Sequence, residues 1–208
     1  RHGHQAGDEA LRAVGEAAGL ELALDEGGGA FYGPKIDLIV RDVFSREWQL
    51  GTIPQVDYNM PERFDLHYID ADGQKKRPVM MHRAIFGSFE RFIGLLIEHF
   101  KGLFPLWLAP VQIAVLPVAA AHEAYAEKLA ADLLQRGMRI EYMNSEESLG
   151  KRIRSGEMAH IPYLLIVGDR EQAEHAVTVR NVLTKEQVVL PFKEFIAKTT
   201  DDIAQRRL

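Results

Sequence analysis

Over residues 111–167 short apolar runs take turns with longer stretches of helical spacing, and few folds accept such an alternation. Residues 111–118 read as an apolar strand. Residues 119–135 are Ala-rich with helical spacing, and Gly137 follows where a C-terminal cap belongs. Residues 138–143 read as a second strand and 148–159 as a second helix. Residues 163–167 form the continuous apolar run of a strand buried on both faces. Residues 177–180 and 187–190 are spaced as a hairpin, and a last helix is expected from near Lys193. Strands alternating with helices predict an α/β sandwich around a mixed, mainly parallel sheet.

The first half follows another pattern. Leu11, Val14, Ala17 and Ala18 recur at helical intervals within residues 8–20. Gly27-Gly28-Gly29 then breaks the chain. Ile36, Leu38 and Val40 alternate with Asp37, Ile39 and Arg41 as in a strand, and residues 48–58 read as a second one. Pro54 would interrupt its ladder, so an edge or a bulge is expected there. Asp72-Gly73, between Leu66, Tyr68 and Ile69 and the run 78–81, marks a hairpin. Phe89, Phe92, Ile93, Leu96, Ile97 and Phe100 share one stripe, which predicts a buried helix over 87–100. The first half thus reads as an antiparallel sheet closed by a long helix, α+β in character. Gly102, Pro105 and Pro110 punctuate a linker, and the chain divides into residues 1–104 and 105–208.

Composition narrows the function. At roughly 100–200 residues per domain, 208 residues make one large domain or two small ones. A content of 47% hydrophobic and 26% charged residues is that of a globular chain and excludes a disordered tail. The absence of cysteine excludes a disulfide framework, a thiol nucleophile and a Cys-ligated zinc within these residues. Thirty acidic residues outnumber 25 basic ones, for a net charge of −5, so any RNA binding must come from a local patch. The chain opens at Arg1-His2-Gly3-His4 without a methionine, signal core or transit pattern. Its apolar runs fall far short of the ~20 residues of a membrane helix. The expectation is a soluble, cytoplasmic chain cut from something longer, with no membrane partner.

Walker, G-x-G-x-x-G, H-E-x-x-H and G-x-S-x-G motifs are absent. In Phe31-Tyr32-Gly33-Pro34-Lys35 a hydroxyl and an ammonium share one tight turn before a strand. The pair suits a carboxylate or phosphate ligand, or else it is a Gly-Pro turn with solvated polar groups. Gln49 and Thr52 sit in an apolar strand and would face opposite sides on strict alternation. Both reach one pocket only if Gly51 or Pro54 breaks the register. His82 is one histidine where zinc needs at least three protein ligands. Arg91, early in an apolar helix, is either paired with an acid or aimed at a bound anion. Lys151, Arg152, Arg154, Arg170, Arg180 and Lys185 form either a basic surface or a mixed-charge face diluted by Glu141, Glu146, Glu147 and Glu157. Gly168-Asp169-Arg170-Glu171 ends a buried strand, and ligands of open α/β sheets bind beyond such ends.

These pieces occur in an ordered series. Ala30-Phe31-Tyr32-Gly33-Pro34-Lys35-Ile36-Asp37 is followed by Trp48-Gln49-Leu50-Gly51-Thr52 and Val79-Met80-Met81-His82-Arg83-Ala84-Ile85. Then come Gly87-Ser88-Phe89-Glu90-Arg91-Phe92-Ile93, Trp107-Leu108-Ala109-Pro110-Val111-Gln112 and the stretch from Ile161-Pro162-Tyr163 to Gly168-Asp169-Arg170-Glu171. From about Gly27 onward the chain resembles the threonyl-tRNA synthetase family, and Gly-Ser-Phe-Glu-Arg-Phe resembles motif 3 of class II synthetases.

The resemblance implies the C-terminal part of a class II catalytic domain over 1–104 and an anticodon-binding domain over 105–208. It implies ATP-dependent activation of threonine to the adenylate and transfer to the 3′ end of threonine tRNA. Arg91 and Lys35 match catalytic positions. Gln49, Thr52, Ser88 and Arg91 match ATP or adenylate positions, and Tyr32, Lys35 and Gln55 match threonine positions. His82 matches one of three zinc ligands that hold threonine by its amino and hydroxyl groups, chemistry that rejects the isostere lacking the hydroxyl. Glu171 and Arg180 match residues that read anticodon bases. The implied cofactors are ATP, Mg²⁺ and Zn²⁺, the implied partners threonine, ATP and threonine tRNA, and the full-length protein is expected to be a homodimer. No DNA partner is implied. Motifs 1 and 2 and the other two zinc ligands do not occur in these residues, and His2 and His4 do not match. Pro54 reads as an insertion before Gln55, and Glu146 stands where the family often has an anticodon-contacting Asn. This stretch alone is expected not to aminoacylate. The rival readings are a non-catalytic tRNA- or RNA-binding module derived from a class II synthetase, and a small-molecule α/β enzyme, for which the phosphate loop is missing. Relatives for proline or glycine share the second-half fold, whereas Phe-Tyr-Gly-Pro-Lys and His82 favour threonine.

Overall fold

The computed structural model describes residues 2–25 and 27–208, with side chains from residue 7 onward. The chain forms two compact units, Arg1–His99 and Phe100–Leu208.

The first unit begins with α1 (His2–Ala17), which starts earlier than its apolar spacing indicates. An antiparallel sheet follows: β1 (Lys35–Arg41), β2 (Glu47–Asp57) and β5 (Met80–Ala84), in the order β1-β2-β5. Asp42 fixes the turn between β1 and β2. Its Oδ1 accepts the backbone N–H groups of Phe44 and Arg46 at 2.9 Å each, and its Oδ2 accepts Trp48 Nε1–H at 3.0 Å. Burial pushes this carboxyl up, but those hydrogen bonds outweigh it and hold it at about 2.

Pro54 lies in the central strand, not at an edge, so of the two expected outcomes the bulge is realised. The β2–β5 register shifts between Thr52 and Gln55. The short α2 (Asn59–Arg63) leads to a separate two-stranded ribbon, β3 (Tyr68–Ile69) with β4 (Lys75–Lys76). The turn at Asp72-Gly73 therefore joins Tyr68–Ile69 to Lys75–Lys76, and not to residues 78–81, which run into β5. The polar pair Lys75–Lys76 wins because its partners lie within reach of so short a loop.

Ahead of β1 the backbone of Gly33 crosses β2 closely. A Cβ there would stand 2.1 Å from the carbonyl oxygen of Val56, a distance no side chain tolerates. Tyr32 and Pro34 extend the sheet on either side, their carbonyls accepting Tyr58 N–H at 3.1 Å and Val56 N–H at 2.9 Å. Gly33→Ala is expected to destabilise the first unit by about 1–3 kcal/mol, the usual cost of forcing atoms into filled space. Denaturant unfolding followed by Trp48 fluorescence, in a Trp107→Phe background, checks this. An unmoved midpoint would contradict it.

The helix α3 (Phe89–Phe100) forms where the apolar stripe places it, but none of its residues is buried, which corrects the expectation of a buried helix. Phe89, Ile93 and Ile97 are 70%, 50% and 49% exposed. Phe92, Leu95 and Leu96 instead line an apolar cleft of about 380 Å³ with Val40 and Leu50. Periodicity marks the face that avoids water, and the described residues of this unit cover only part of it.

In the second unit, β6 (Ile113–Pro117), β7 (Ile140–Tyr142), β8 (Tyr163–Val167), β9 (Ala176–Asn181) and β10 (Gln187–Pro191) form one sheet in the order β10-β9-β8-β6-β7. Only β9 runs against the other four, so the sheet is mixed and mainly parallel. The helix α4 (Glu123–Gln135) is preceded by a 3₁₀ turn at Ala120–His122. It ends in a Schellman motif: Gly137 N–H reaches Leu134 O at 2.9 Å and Met138 N–H reaches Leu133 O at 3.1 Å. The final helix, α7 (Phe192–Ala204), shares one core with α4, in which Ile113, Val115, Leu165, Val177 and Val179 of the sheet meet Leu133, Phe195 and Ile196. On the opposite face Ala114, Leu116 and Leu164 pack with Leu149 and Ile153 of α5 (Leu149–Met158).

The linker is tied down by buried Gln112, which donates to Leu106 O at 2.8 Å and accepts Arg139 N–H at 2.9 Å. Arg139 in turn donates to Ala109 O and Trp107 O at 2.9 and 3.0 Å. Gly168 ends β8 as the sequence indicates, and residues 169–174 continue directly into a short helix, α6 (Asp169–Glu174). Arg152 is buried, its guanidinium donating to the carbonyls of Pro117, Met143 and Glu147, so it is no part of a basic surface. No described helix is long and apolar enough to cross a membrane.

Candidate active site and nucleic-acid interface

Cross-strand register builds the site of the first unit. Lys35 on β1 lies opposite Gln55 on β2, and Gln55 lies opposite His82 on β5. Directly opposed residues share a face, so these three stand in one row across the sheet. Asp37 and Ala84 flank Thr52 in the next row. On β2 two register shifts intervene, one between Gln49 and Gly51 and one between Thr52 and Gln55. Each extra residue reverses the facing of the strand beyond it. Gln49, Thr52 and Gln55, spaced by threes, therefore all face one side. The register break that the pairing of Gln49 with Thr52 required is present, and Gln49 Nε2 lies 3.0 Å from Thr52 Oγ1.

Asp37 is the hub of this face. Its Oδ1 accepts the Thr52 hydroxyl at 2.6 Å and the Gln49 amide at 2.8 Å, and its Oδ2 accepts the Lys35 ammonium. Burial pushes the carboxyl up, but the Lys35, Thr52 and Gln49 bonds and the Lys35 charge together hold it below the usual carboxylate range. An ammonium, an amide and a hydroxyl are thus gathered around one carboxylate, which orders the polar face of the sheet. Reasoning from sequence assigned Asp37 no role. Its signal was the spacing: two residues beyond Lys35 on a strand, it must share that lysine's face.

Arg91 approaches the same strand from α3. Its Nη1 donates to Gln49 O at 2.9 Å, and its guanidinium lies 5.5 Å from the Trp48 ring centroid. Among the described residues no carboxylate pairs with it. Ser88 caps α3, accepting Arg91 N–H at 3.2 Å and donating to Glu90 at 2.8 Å, so it serves the site by fixing the start of the helix that carries Arg91. Tyr32 joins through its backbone, by the carbonyl bond to Tyr58.

His82 Nε2 lies 2.9 Å from Asp57 Oδ2, and Asp57 is 1% exposed. The other carboxylate oxygen of Asp57 accepts the N–H groups of Asn59 and Met60 at 2.8 and 2.9 Å. Burial raises this carboxyl, while those bonds and His82 lower it further still, to below its ordinary value. A carboxylate holding one ring nitrogen leaves the other to a ligand, the arrangement that orients metal-binding histidines. Zinc needs at least three protein ligands, and the described residues hold no group of three His, Cys, Asp or Glu in metal-binding geometry. They fit one ligand position and its supporting carboxylate.

In the second unit Glu171 and Arg180 border one face of β9. Glu171 reaches back to Gly168 N–H at 2.9 Å, capping α6, and accepts the Thr178 hydroxyl at 2.7 Å. Burial raises its carboxyl, and the Thr178 and Gly168 bonds bring it below the usual range. Arg180, two residues beyond Thr178 and so on the same face, donates to Glu157. Lys151 pairs with Glu147, just ahead of α5, and Arg170 with Glu174 along α6, a mixed-charge face rather than a basic one.

A family model described as the tRNA synthetase class II core domain (G, H, P, S and T) matches residues 6–100, and one described as an anticodon binding domain matches residues 112–201. A threonine–tRNA ligase from Campylobacter lari is 50% identical over 198 residues, which are 95% of this chain and 33% of that protein. One from Thermus thermophilus is 50% identical over 210 residues, 97% of this chain and 32% of that protein. The chain thus spans about a third of the length of these relatives. Among solved structures, the RNA binding domain of a threonyl-tRNA synthetase from Cryptosporidium parvum matches with a TM-score of 0.84 at 34% identity, over 96% of this chain and 50% of that one. A Giardia lamblia prolyl-tRNA synthetase, 16% identical with a TM-score of 0.66 over 84% of this chain and 40% of that one, shares the fold. By sequence over nearly its whole length, and by fold, the chain belongs to the threonine–tRNA ligase family, of which it carries a class II core segment followed by an anticodon-binding domain.

Proposed function

We propose that the protein carrying this chain is an ATP-dependent threonine–tRNA ligase of the cytoplasm, with Mg²⁺ accompanying ATP and a homodimer as the full-length form. Residues 1–104 are its catalytic segment and residues 105–208 its anticodon-binding segment. The observation that carries this reading is the gathering of Lys35, Gln49 and Thr52 about Asp37, with Arg91 against the carbonyl of Gln49.

In the first step a threonine carboxylate oxygen attacks the α-phosphorus of ATP, a P–O bond forms, and pyrophosphate leaves. Lys35 and Arg91 supply positive charge where the phosphoryl oxygens gain negative charge, and Gln49, Thr52 and Ser88 hold the nucleotide in line. Tyr32, Lys35 and Gln55 orient threonine. In the second step a hydroxyl of the terminal ribose attacks the adenylate carbonyl, and AMP leaves. His82, oriented by Asp57, is the residue of this chain that would hold zinc. A zinc ion held there would supply Lewis-acid recognition of an amino and a hydroxyl group, chemistry that would select threonine over valine. Glu171 and Arg180 read anticodon bases by acceptor and donor contacts to their edges. The rival, a non-catalytic RNA-binding module, gives the Lys35–Asp37–Thr52 constellation nothing to do.

A hybrid tests this. In it, this chain replaces the matching third of the Campylobacter lari ligase. Threonine-dependent exchange of pyrophosphate into ATP is expected. A folded hybrid without it would contradict the catalytic reading and leave the RNA-binding one standing.

A further inference from the structure

Arg180 is held from one side. Its Nε and Nη2 both donate to Glu157 Oε1, at 2.9 and 2.8 Å. The same oxygen lies 3.6 Å from Lys185 Nζ, in the loop between β9 and β10. The Arg180 and Glu157 side chains are 26% and 25% exposed, so the pair is open to a ligand without being loose.

The fold places this carboxylate. Glu157 is in the last turn of α5, and its neighbour Gly156 lets that turn settle on β8. A Cβ at Gly156 would stand 2.6 Å from Leu164 Cδ2. Leu164 is the register partner of Arg180 on the adjoining strand. The close approach of α5 to β8 therefore brings Glu157 beside β9.

A guanidinium with two donors tied to a carboxylate keeps one orientation, and Nη1 remains for a ligand. Without the carboxylate, Arg180 and Lys185 make a doubly positive site that any phosphate satisfies, and phosphate contacts carry no sequence information. We propose that Glu157 is a positioning residue for anticodon recognition. It aims the Arg180 guanidinium at a base edge and offsets the charge that would draw that side chain to the RNA backbone. The inference rests on the reading of residues 105–208 as the anticodon-binding segment.

The test is binding of the whole 208-residue chain to threonine tRNA, and to the same tRNA with an altered anticodon, across a salt series. The unsubstituted chain is expected to prefer the native anticodon. Glu157→Ala should cut that preference by about three- to tenfold, the worth of immobilising one long side chain. It should also tighten binding to the altered tRNA at low salt and steepen the salt dependence by about one phosphate contact. Glu157→Gln, which keeps the acceptor oxygen and loses the charge, should fall between. An unchanged preference in Glu157→Ala overturns the proposal. So does an equal weakening toward both tRNAs with a lowered melting temperature, which is the mark of a merely structural residue. If the unsubstituted chain shows no preference, the anticodon reading itself fails and the positioning role with it.

Discussion

Arg91→Ala in the hybrid ligase is expected to slow threonine-dependent pyrophosphate exchange by about 10²–10³-fold, the range for removing one preorganised donor from a developing charge. The structure pins this side chain from two directions. Its Nη1 donates to Gln49 O at 2.9 Å, and Trp48 offers its ring at 5.5 Å. Neither contact neutralises it. Sequence alone left two uses for an arginine on the first turns of an apolar helix, an acid partner or a bound anion. The contacts it makes, a neutral carbonyl and an aromatic ring, are compatible with the second. The carbonyl and the ring fix the direction of the guanidinium while its charge stays available. Arg91→Lys is expected to recover only part of the loss, because an ammonium lacks the planar fork. The steady-state signature is a fall in kcat with helix content unchanged by circular dichroism. A fall of less than threefold would remove Arg91 from the reaction.

Phe195→Ala is expected to cost the second unit about 3–5 kcal/mol, the range for deleting a buried aromatic ring. Phe195 is 1% exposed and meets Tyr163 edge-on, with ring centroids 5.8 Å apart. Residues around it come from α4, α7, β8 and β9, so a cavity there loosens both helices of one face from the sheet. Thr199 adds to the rigidity, its hydroxyl donating to Phe195 O at 2.8 Å inside the same core. Such a site collapses poorly around a void, which sets the cost at the upper end. Denaturant unfolding read from Trp107 in a Trp48→Phe background measures it. A loss below 1 kcal/mol would mean that α7 is not part of this core.

Some of this architecture was legible before any coordinates, and the reasons differ from element to element. The run 163–167 identified β8 because a strand flanked on both sides by other strands and on both faces by helices needs no polar residue. The α3 stripe identified a helix but not its environment. Alternation records which face avoids water, and Phe89, Ile93 and Ile97 remain exposed among the described residues. Gly51 and Pro54 announced irregularities in β2, and it takes both shifts to bring Gln49, Thr52 and Gln55 to one face. Gly168–Glu171 marked the end of β8, but the helix that follows went unread because six residues are too few to show a helical period; Glu171 caps it. The resemblance named Lys35, Gln49, Thr52, Arg91 and His82. The carboxylates Asp37, Asp57 and Glu157 that organise Lys35, His82 and Arg180 emerged only from the register and packing that bring distant positions together.

One measurement engages both units at once: transfer of threonine by the hybrid ligase to threonine tRNA and to the same tRNA with an altered anticodon. Charging of the native tRNA is expected, with a fall in kcat/KM of about 10–10²-fold for the altered one, as when a base contact worth ~1–3 kcal/mol is lost. Charging that ignores the anticodon, or no charging by a folded hybrid, would contradict this expectation.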